Sequence, residues 1–224
     1  MSARLPPVIA IDGPSASGKG TVAKQVARRL GFHLLDSGAL YRVVALAALN
    51  SGVSCDDEAA LARLTGALDI GLNRDDIYLN QELVSDVIRS EQISAVASKV
   101  AALPQVRRAL LARQRALRQP PGLVADGRDM GSTVFPDAVV KIYLIADVED
   151  RARRRYKQLI EKGLSANMTT LLRDMQARDQ SDSVRAVAPL RKGDDASVLD
   201  TTGLTIDAAV EQVLARYAAA KQVP

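Results

Sequence analysis

Short apolar runs recur along the chain, separated by longer stretches with helical periodicity. The runs VIAIDG (8–13), LVADG (123–127) and VVKIYLIA (139–146) lack polar alternation, which is typical of parallel strands buried on both faces. FHLLDSG (32–38) predicts a second strand and a turn, and SVLDTT (197–202) predicts the last strand. Strands that alternate with helices in this way favour an α/β fold with a parallel sheet.

Apolar residues three and four positions apart predict the helices between these strands. From Gly18 to Leu30, the positions of Val22 and Val26 and of the alanines beside them form one apolar stripe, as in an amphipathic helix. Further helices are predicted at 39–52, 56–66, 91–102, 104–118, 148–162, 168–181 and 205–221. The pattern therefore predicts a three-layer α/β fold, with a central parallel sheet and helices on both faces.

Residues 68–90 differ in character from the rest of the chain. LDIGL, IYLN and ELVSDVIRS are short and β-prone, with turn residues such as NRDD between them. This segment predicts a small antiparallel insertion in the otherwise parallel fold.

Length and composition limit the kinds of protein that this chain can be. A length of 224 residues suits one domain, or one with an inserted subdomain, and 47% hydrophobic residues can build a core. Cys55 is the single cysteine, so an internal disulfide is impossible, which favours a reducing, cytoplasmic setting. The N-terminal MSARLPPVIAIDG has one basic residue and a very short apolar run, so we expect neither a signal peptide nor a membrane span.

The net charge of +4 is modest, but arginines are concentrated in residues 107–118 and 151–155. Such clusters can bind nucleic acid or small phosphates. The five tyrosines and two phenylalanines do not interleave with them as a stacking platform, which disfavours binding of single-stranded nucleic acid.

The stretch GPSASGKGT (13–21) fits the phosphate-binding P-loop pattern G-x-x-x-x-G-K-[ST] as far as its lysine. It lies between a predicted strand and a predicted helix, where backbone N–H groups and the helix N-terminus can surround phosphate oxygens. The alternative is a tight turn with an exposed lysine, which explains the glycines but not the lysine at that spacing. The predicted nucleotide-binding residues are Gly13, Pro14, Ser15, Ala16, Ser17, Gly18, Lys19, Gly20 and Thr21.

The residue after the lysine departs from the pattern. Gly20 stands where a hydroxyl is expected, and the hydroxyl comes one place later, at Thr21. The GKGT ending resembles the P-loop of nucleoside monophosphate kinases. We therefore interpret the departure as the mark of a subfamily, which by itself does not choose the acceptor.

A kinase must also bind a second anionic substrate, which requires positive charge beyond one lysine. The first candidate segment is DSGALYR (36–42), where Asp36 or Ser37 can cap a helix and Arg42 lies about one turn further on. The alternative for this segment is simple capping with a surface arginine.

The second candidate segment, DGRDMG (126–131), follows a predicted strand, and ligands of open α/β sheets bind beyond the carboxyl ends of strands. Arg128 and Asp129 are therefore candidate ligand residues. Asp126 could hold the water shell of a metal in the manner of a Walker B carboxylate. Its alternative is to cap the end of the strand.

The third candidate segment, RDQSDSVR (178–185), places Arg178, Asp182 and Arg185 on one face if it is helical. Two arginines around one aspartate can hold a phosphate while the carboxylate accepts from sugar hydroxyls. The alternative is a surface salt bridge, worth only about 0.3–0.5 kcal/mol.

The fourth candidate segment is a helix face that carries Arg151, Arg154 and Arg155, with Lys162 and Gly163 at the end of the helix. A mobile lid could bring these arginines to the transferring phosphate. The alternative is a solvated basic face.

Together, these segments resemble the bacterial-type cytidylate kinases over nearly the whole chain. The resemblance is carried by IDGPSASGKGT (11–21), LLDSGALYRVVALAAL (34–49), ADGRDMGSTVFPDA (125–138), RDQSDSVR (178–185) and the AVAPL that follows. It implies the P-loop nucleoside monophosphate kinase fold, with the β-prone insertion in a monophosphate-binding region. It also implies a monomer that transfers the γ-phosphate of ATP to CMP or dCMP with Mg²⁺.

The resemblance implies roles residue by residue. The positions matched to binding of the monophosphate sugar and phosphate are Ser37, Tyr41, Arg42, Arg128, Arg178, Asp182 and Arg185. Those matched to reading of the cytosine are Ser98, Arg107 and Asp129. Those expected to stabilise the transferring phosphate are Lys19, Arg128, Arg154, Arg155 and Arg185. Thr21 and Asp126 are expected to hold the metal, the latter through water.

The expected organisation is one domain over residues 1–224. Its core would span 1–60, 91–150 and 182–224, its insertion 61–90 with the following helices, and its lid 151–181. Two rival functions stay open: a P-loop kinase for another acceptor, such as UMP, AMP or shikimate, and a nucleotide-dependent switch or nucleic-acid-binding ATPase. The N-K-x-D motif of GTPase switches is missing from the sequence, and we expect neither a nucleic-acid nor a membrane partner.

Overall fold

The computed structural model describes residues 5–73, 76–161, 163, 165–185 and 187–222. The chain divides into two compact units. The sheet unit comprises the described residues up to Leu35 and from Arg118 onward, and the helical unit comprises Asp36–Leu117. The sheet unit is thus built from two separate stretches of chain, whereas the helical unit is continuous.

Strands and helices follow one another along the described chain in the predicted alternation. The strands are β1 (Val8–Asp12), β2 (His33–Asp36), β3 (Ile70–Asn73), β4 (Asp76–Leu79), β5 (Glu82–Leu83), β6 (Leu123–Gly127), β7 (Val140–Ile145) and β8 (Ser197–Asp200). The α-helices are α1 (Lys19–Leu30), α2 (Ser37–Ser51), α3 (Glu58–Ala67), α4 (Glu91–Val100), α5 (Pro104–Ala116), α6 (Val148–Glu161), α7 (Met168–Val184) and α8 (Ile206–Lys221).

A five-stranded sheet in the order β2-β6-β1-β7-β8 forms the centre of the sheet unit. β1 pairs in parallel with β6 and β7, and β7 pairs in parallel with β8. Every residue of β1 and β6 is buried, as their continuous apolar runs predict. In this register Asp12 lies beside Gly127, so the carboxyl ends of β1 and β6 meet at one edge.

Helices α1 and α8 cover this sheet with apolar side chains, among them Val22, Val26, Val210 and Val213. Tyr217 of α8 packs edge-on against Phe32 in the same core. The predicted α/β fold with a central parallel sheet flanked by helices is therefore confirmed.

The helices begin and end at residues that suit helix caps. α1 begins directly after Gly18, which has left-handed backbone geometry, and ends at a left-handed Gly31. Asp36 caps α2 by accepting from the Ala39 N–H at 2.9 Å. β2 therefore runs directly into α2, without the turn that we expected at residues 37–38.

The helical unit contains α2 to α5 and a separate three-stranded sheet. β4 pairs antiparallel with both β3 and β5, as predicted for the insertion. The segment ELVSDVIRS supplies only the two residues of β5, and then forms a 3-10 turn at Val87–Arg89 that buries Ile88. The turn predicted at NRDD (73–76) lies partly outside the described residues.

One difference from the sequence pattern falls at the end of α7. α7 continues to Val184, three residues beyond the predicted end at 181. Lys162, which we expected at the end of α6, lies outside the described residues. The division into core, insertion and lid at the expected boundaries stays a prediction.

Candidate nucleotide site

The P-loop (residues 13–21) requires glycine at two of its positions. A Cβ at Gly13 would lie 2.1 Å from the carbonyl oxygen of Leu144 in β7, a separation that no side chain tolerates. Gly18 has φ of 90°, a left-handed conformation that glycine adopts without steric cost. The loop therefore passes directly over the sheet and turns sharply into α1.

The carbonyl oxygen of Pro14 is held from inside the P-loop. It accepts from the Ser17 hydroxyl at 3.0 Å and from the Lys19 ammonium at 3.3 Å. Ser17 is fully buried. The lysine is thus folded back over the loop, where a phosphate oxygen could replace the carbonyl as its partner.

Side chains from elsewhere in the sheet unit hold the outer carbonyl oxygens of the P-loop. Arg151 of α6 donates to the Ser15 oxygen at 3.2 Å, and Arg154 donates to the Ser17 oxygen at 3.1 Å. The Thr201 hydroxyl donates to the same Ser17 oxygen at 3.3 Å. Because carbonyl oxygens engaged on the outside orient the peptide planes, this arrangement favours N–H groups that face a bound anion.

Arg151 is almost completely buried, with 4% of its surface exposed. Besides the P-loop, it bonds Asp179 of α7 and the Ala146 carbonyl oxygen. Arg154 also donates to the Thr201 carbonyl oxygen at 2.7 Å, and Arg155 is half-buried. The alternative of a solvated basic face is therefore wrong for Arg151.

The carboxylate of Asp126, at the end of β6, lies 3.8 Å from the Lys19 ammonium. A Cβ at Gly20 would stand 3.1 Å from Asp126 Oδ2, so glycine after the lysine lets this carboxylate approach the start of α1. Thr21 is exposed one residue further on. No group of three acidic, histidine or cysteine side chains suited to a metal occurs among the described residues. One carboxylate and one hydroxyl fit Mg²⁺, which keeps several waters and takes further ligands from substrate phosphates.

Asp12, which the sequence reasoning missed, is a buried carboxylate beside this site. Its Oδ1 accepts from the Met130 N–H at 2.8 Å, and its Oδ2 accepts from the Gly131 N–H at 2.9 Å. The pKa of Asp12 is raised from 3.8 to about 7, chiefly because the group is buried. The two backbone hydrogen bonds lower the pKa, but by less than burial raises it. The charges of Asp129 and Asp126 raise it further. The signal was available: Asp12 is polar and ends an apolar strand, as Asp126 does.

The structure brings together three residues of the predicted phosphate-binding set. Asp182 is buried, and its Oδ2 accepts from Arg128 Nε at 3.0 Å while its Oδ1 pairs with Arg185. Arg178 is half-buried one turn earlier on α7. Two guanidinium groups around one carboxylate leave net positive charge, which suits an anion.

Asp129 is buried and precedes a π-helical turn at Met130–Val134. Its carbonyl oxygen accepts from the N–H groups of Thr133 and Val134, at 2.9 and 3.2 Å. The turn begins where β6 ends, so it presents Asp129 at the carboxyl edge of the sheet.

In the helical unit, Arg42 donates to Asp36 Oδ2 at 3.0 Å, so the capping carboxylate also orients the arginine. Ser37 is buried at the start of α2. Asp36 therefore caps the helix and positions Arg42. The role of this segment in binding a substrate stays a prediction.

The other predicted residues of the helical unit lie on α2, α4 and α5. The guanidinium of Arg107 stands over the Tyr41 ring, 5.7 Å from its centroid, and also donates to the Ala101 carbonyl oxygen at 3.2 Å. Ser98 donates to the Ser94 carbonyl oxygen at 3.3 Å. Arg107 and Tyr41 are thus brought together within this unit.

A P-loop over a parallel sheet, with arginines gathered beside it, defines a nucleotide-binding site of the P-loop phosphotransferase class. The family model for cytidylate kinase matches residues 9–219. A cytidylate kinase of Bordetella pertussis is 59% identical over 213 residues, covering 95% of this chain and 96% of the relative. A cytidylate kinase of Cupriavidus necator is 56% identical over 214 residues, covering 96% of each chain. The chain belongs to the cytidylate kinase family.

A solved structure supports the fold independently. The gluconokinase of Sinorhizobium meliloti superposes with a TM-score of 0.50 at 15% identity, covering 97% of this chain and 94% of its own. At that identity the likeness concerns the fold alone. Within the part of the chain that the structure describes, no helix is long and apolar enough to cross a membrane.

Proposed function

We propose that this chain transfers the γ-phosphoryl group of ATP to CMP and dCMP, giving ADP with CDP or dCDP. The observation that carries the proposal is a P-loop in the same unit as the Arg128–Asp182–Arg185 cluster, in a chain of the cytidylate kinase family. The transfer passes through a loose transition state, for which positioning and charge neutralisation matter more than a general base.

The proposed ATP site is the P-loop, with backbone N–H groups and Lys19 around the outer phosphates. Mg²⁺ would be held by Thr21 and, through water, by Asp126, and when bound it would neutralise charge on the transferred phosphate. The close approach of Asp126 to Gly20 supports this assignment.

The charge on the transferring phosphoryl group is proposed to be stabilised by arginines of the sheet unit. Arg128 and Arg185 already converge on Asp182, so an arriving phosphate meets two oriented guanidinium groups. Arg154 and Arg155 of α6 are proposed to act in the same step. Arg154 adjoins the P-loop through its bond to Ser17, which supports its place in this set.

The monophosphate and its sugar are proposed to be bound by arginines, hydroxyl groups and one carboxylate. Asp182 would accept from sugar hydroxyls, and arginines would pair with the phosphate. The residues proposed for this role are Ser37, Tyr41, Arg42, Arg128, Arg178, Asp182 and Arg185.

Cytosine is proposed to be read by Ser98, Arg107 and Asp129. A carboxylate can accept from the exocyclic amino group of cytosine, and a serine and an arginine can donate to its O2 and N3 acceptors. Uracil would place a carbonyl against Asp129, and an unmade buried polar pairing costs about 1–3 kcal/mol, or about ten- to a hundredfold in rate. We therefore expect weak turnover of UMP.

A kinase for UMP or AMP is the alternative within the same fold. We further propose that the enzyme is a cytoplasmic monomer that binds neither nucleic acid nor membranes. The partners that follow from the family are small-molecule nucleotides.

The test is ADP formation from MgATP with CMP, dCMP, UMP, AMP or no acceptor, measured side by side for the wild type, Asp129→Ala and Asp137→Ala. Asp137 is an exposed carboxylate beyond the π-helical turn, so Asp137→Ala is the matched control. We expect strong turnover of CMP and dCMP, and an Asp129→Ala variant whose preference for CMP over UMP falls about tenfold. Turnover of AMP alone, or ADP release without an acceptor, would contradict the proposal.

A further inference from the structure

Asp12 connects the strand that leads into the P-loop with the turn that carries Asp129. It is the last residue of β1, and both of its carboxylate oxygens accept from backbone N–H groups. Those N–H groups belong to Met130 and Gly131, the two residues directly after Asp129. A single buried side chain thus fixes the peptide planes on the carboxyl side of the proposed base-reading residue.

The turn fits tightly against the sheet at the same place. A Cβ at Gly131 would stand 3.1 Å from Lys141 Cγ and 3.4 Å from Ala10 Cβ, so a larger residue there would require the lysine side chain to shift. Within the turn, the Thr133 and Val134 N–H groups return to the Asp129 carbonyl oxygen. The position of Asp129 therefore depends on where the turn is docked, and the Asp12 carboxyl group is the side chain that docks it.

We propose that Asp12 is a positioning residue for base selectivity, acting through the two backbone N–H groups that set the orientation of Asp129. This inference rests on the proposed function, in which Asp129 accepts from the amino group of cytosine. Asp12 touches backbone groups and is assigned no contact with the substrate.

The variant that tests the inference is Asp12→Asn. Asparagine has almost the shape of aspartate but only one acceptor oxygen, and its NH₂ group would face one of the two N–H donors. It also carries no charge to be buried, which favours a folded variant. One docking hydrogen bond is lost and one repulsive contact replaces it, so the turn should shift and the orientation of Asp129 with it.

The readout is the ratio of kcat/KM for CMP to kcat/KM for UMP. Both acceptors use the same ATP site and the same fold, so general damage cancels in this ratio. We expect the ratio to fall about tenfold in Asp12→Asn and to stay at the wild-type value in Asp137→Asn. Asp137 provides the matched control because its carboxylate pairs with the Arg118 side chain, rather than with turn N–H groups.

A double-mutant cycle separates positioning from a general structural role. If Asp12 acts through Asp129, Asp12→Asn should lower the ratio in the wild-type background but not in the Asp129→Ala background. Equal losses in both backgrounds, or an unchanged ratio in Asp12→Asn, would overturn the inference. An unchanged ratio in Asp129→Ala alone would instead refute the base-reading role in the proposed function, so the two failures are distinguishable.

Discussion

Asp12→Asn should also remove a pH-dependent contribution to folding stability. Asp12 is 8% exposed at the end of β1, and burial raises the pKa of its carboxyl group from 3.8 to about 7. The unfolded chain exposes this group and returns it to the ordinary value. The folded protein therefore binds the proton more tightly than the unfolded chain does. This contribution stabilises the folded state at low pH and is lost as the pH rises from about 4 to about 7.

The magnitude follows from the size of the pKa shift. Each pKa unit corresponds to about 1.4 kcal/mol, so a shift of about three units amounts to about 4 kcal/mol over the whole window. The range from pH 5 to pH 8 covers about two of these three units, so the contribution of Asp12 to the free energy of unfolding changes by about 3 kcal/mol over it. Asparagine has no titrating proton, so the variant should lack this part of the pH dependence.

Urea unfolding followed by far-UV circular dichroism measures the effect, with protein free of nucleotide and Mg²⁺ at pH 5, 6, 7 and 8. The free energy of unfolding of the wild type minus that of Asp12→Asn should fall by about 3 kcal/mol from pH 5 to pH 8, because the contributions of distant groups cancel. A difference that stays constant within about 0.5 kcal/mol would refute the reasoning from burial.

Asp137→Asn is the control of opposite sign in the same series. The hydrogen bond from Arg118 lowers the pKa of Asp137, so its contribution is present above the ordinary pKa and is lost only as the pH falls below it. The difference between the wild type and Asp137→Asn should therefore be flat from pH 5 to pH 8.

Three further substitutions test the site. Gly20→Ala places a methyl group against Asp126, so the Mg²⁺ concentration for half-maximal activity should rise about tenfold; Gly66→Ala, with open space around it, should leave it unchanged. Arg128→Ala should lower kcat at least about a hundredfold with little change in ATP affinity by titration calorimetry, and unchanged turnover would remove Arg128 from the phosphate site. Arg151→Ala removes the buried guanidinium group that bonds the P-loop carbonyl oxygen, so the free energy of unfolding should fall by about 2 kcal/mol. In a thermal melt the Tm should fall by about 5 °C. An unaltered Tm would show that these bonds do not stabilise the fold.

The sheet was predictable because its strands carry their own signal. β1 and β6 are short apolar runs whose residues are all buried, and such a strand needs no other information to be recognised. β7 alternates buried and half-buried residues, but its high apolar content still marks it as a strand. Helix ends marked by Gly31 and Gly52 were equally local, because a left-handed residue after a helix favours glycine wherever it occurs.

The elements that were mispredicted depend on contacts far away in the chain. α7 extends to Val184, and its last turn contains Asp182, whose carboxylate is held by Arg128 from the end of β6. The segment after β5 is β-prone in sequence but turns to bury Ile88 in the helical unit. After β5, tertiary packing thus decides the conformation against the local β-preference.

The candidate site also has a part that could be predicted from the sequence and a part that could not. The P-loop could be predicted because its glycines, lysine and strand-to-helix context are adjacent in sequence. Asp12 could have been noticed as a polar residue that ends an apolar strand. Its partners could not be predicted, because the N–H groups that it binds lie 118 and 119 residues further along the chain. The burial of Arg151 was equally hidden, since its partner Ser15 is 136 residues away.

The order of strands has a consequence for biosynthesis. β1 is completely buried, yet both of its neighbours, β6 and β7, come from the second half of the chain. About 110 residues separate β1 from β6, which at ribosomal rates is about 6–20 s of translation. During that time the apolar strand β1 has neither of its neighbours, while the helical unit Asp36–Leu117 is being synthesised. The nascent chain should therefore depend on chaperones until β6 emerges, and mutations that slow translation before Leu123 should increase aggregation without changing the finished enzyme.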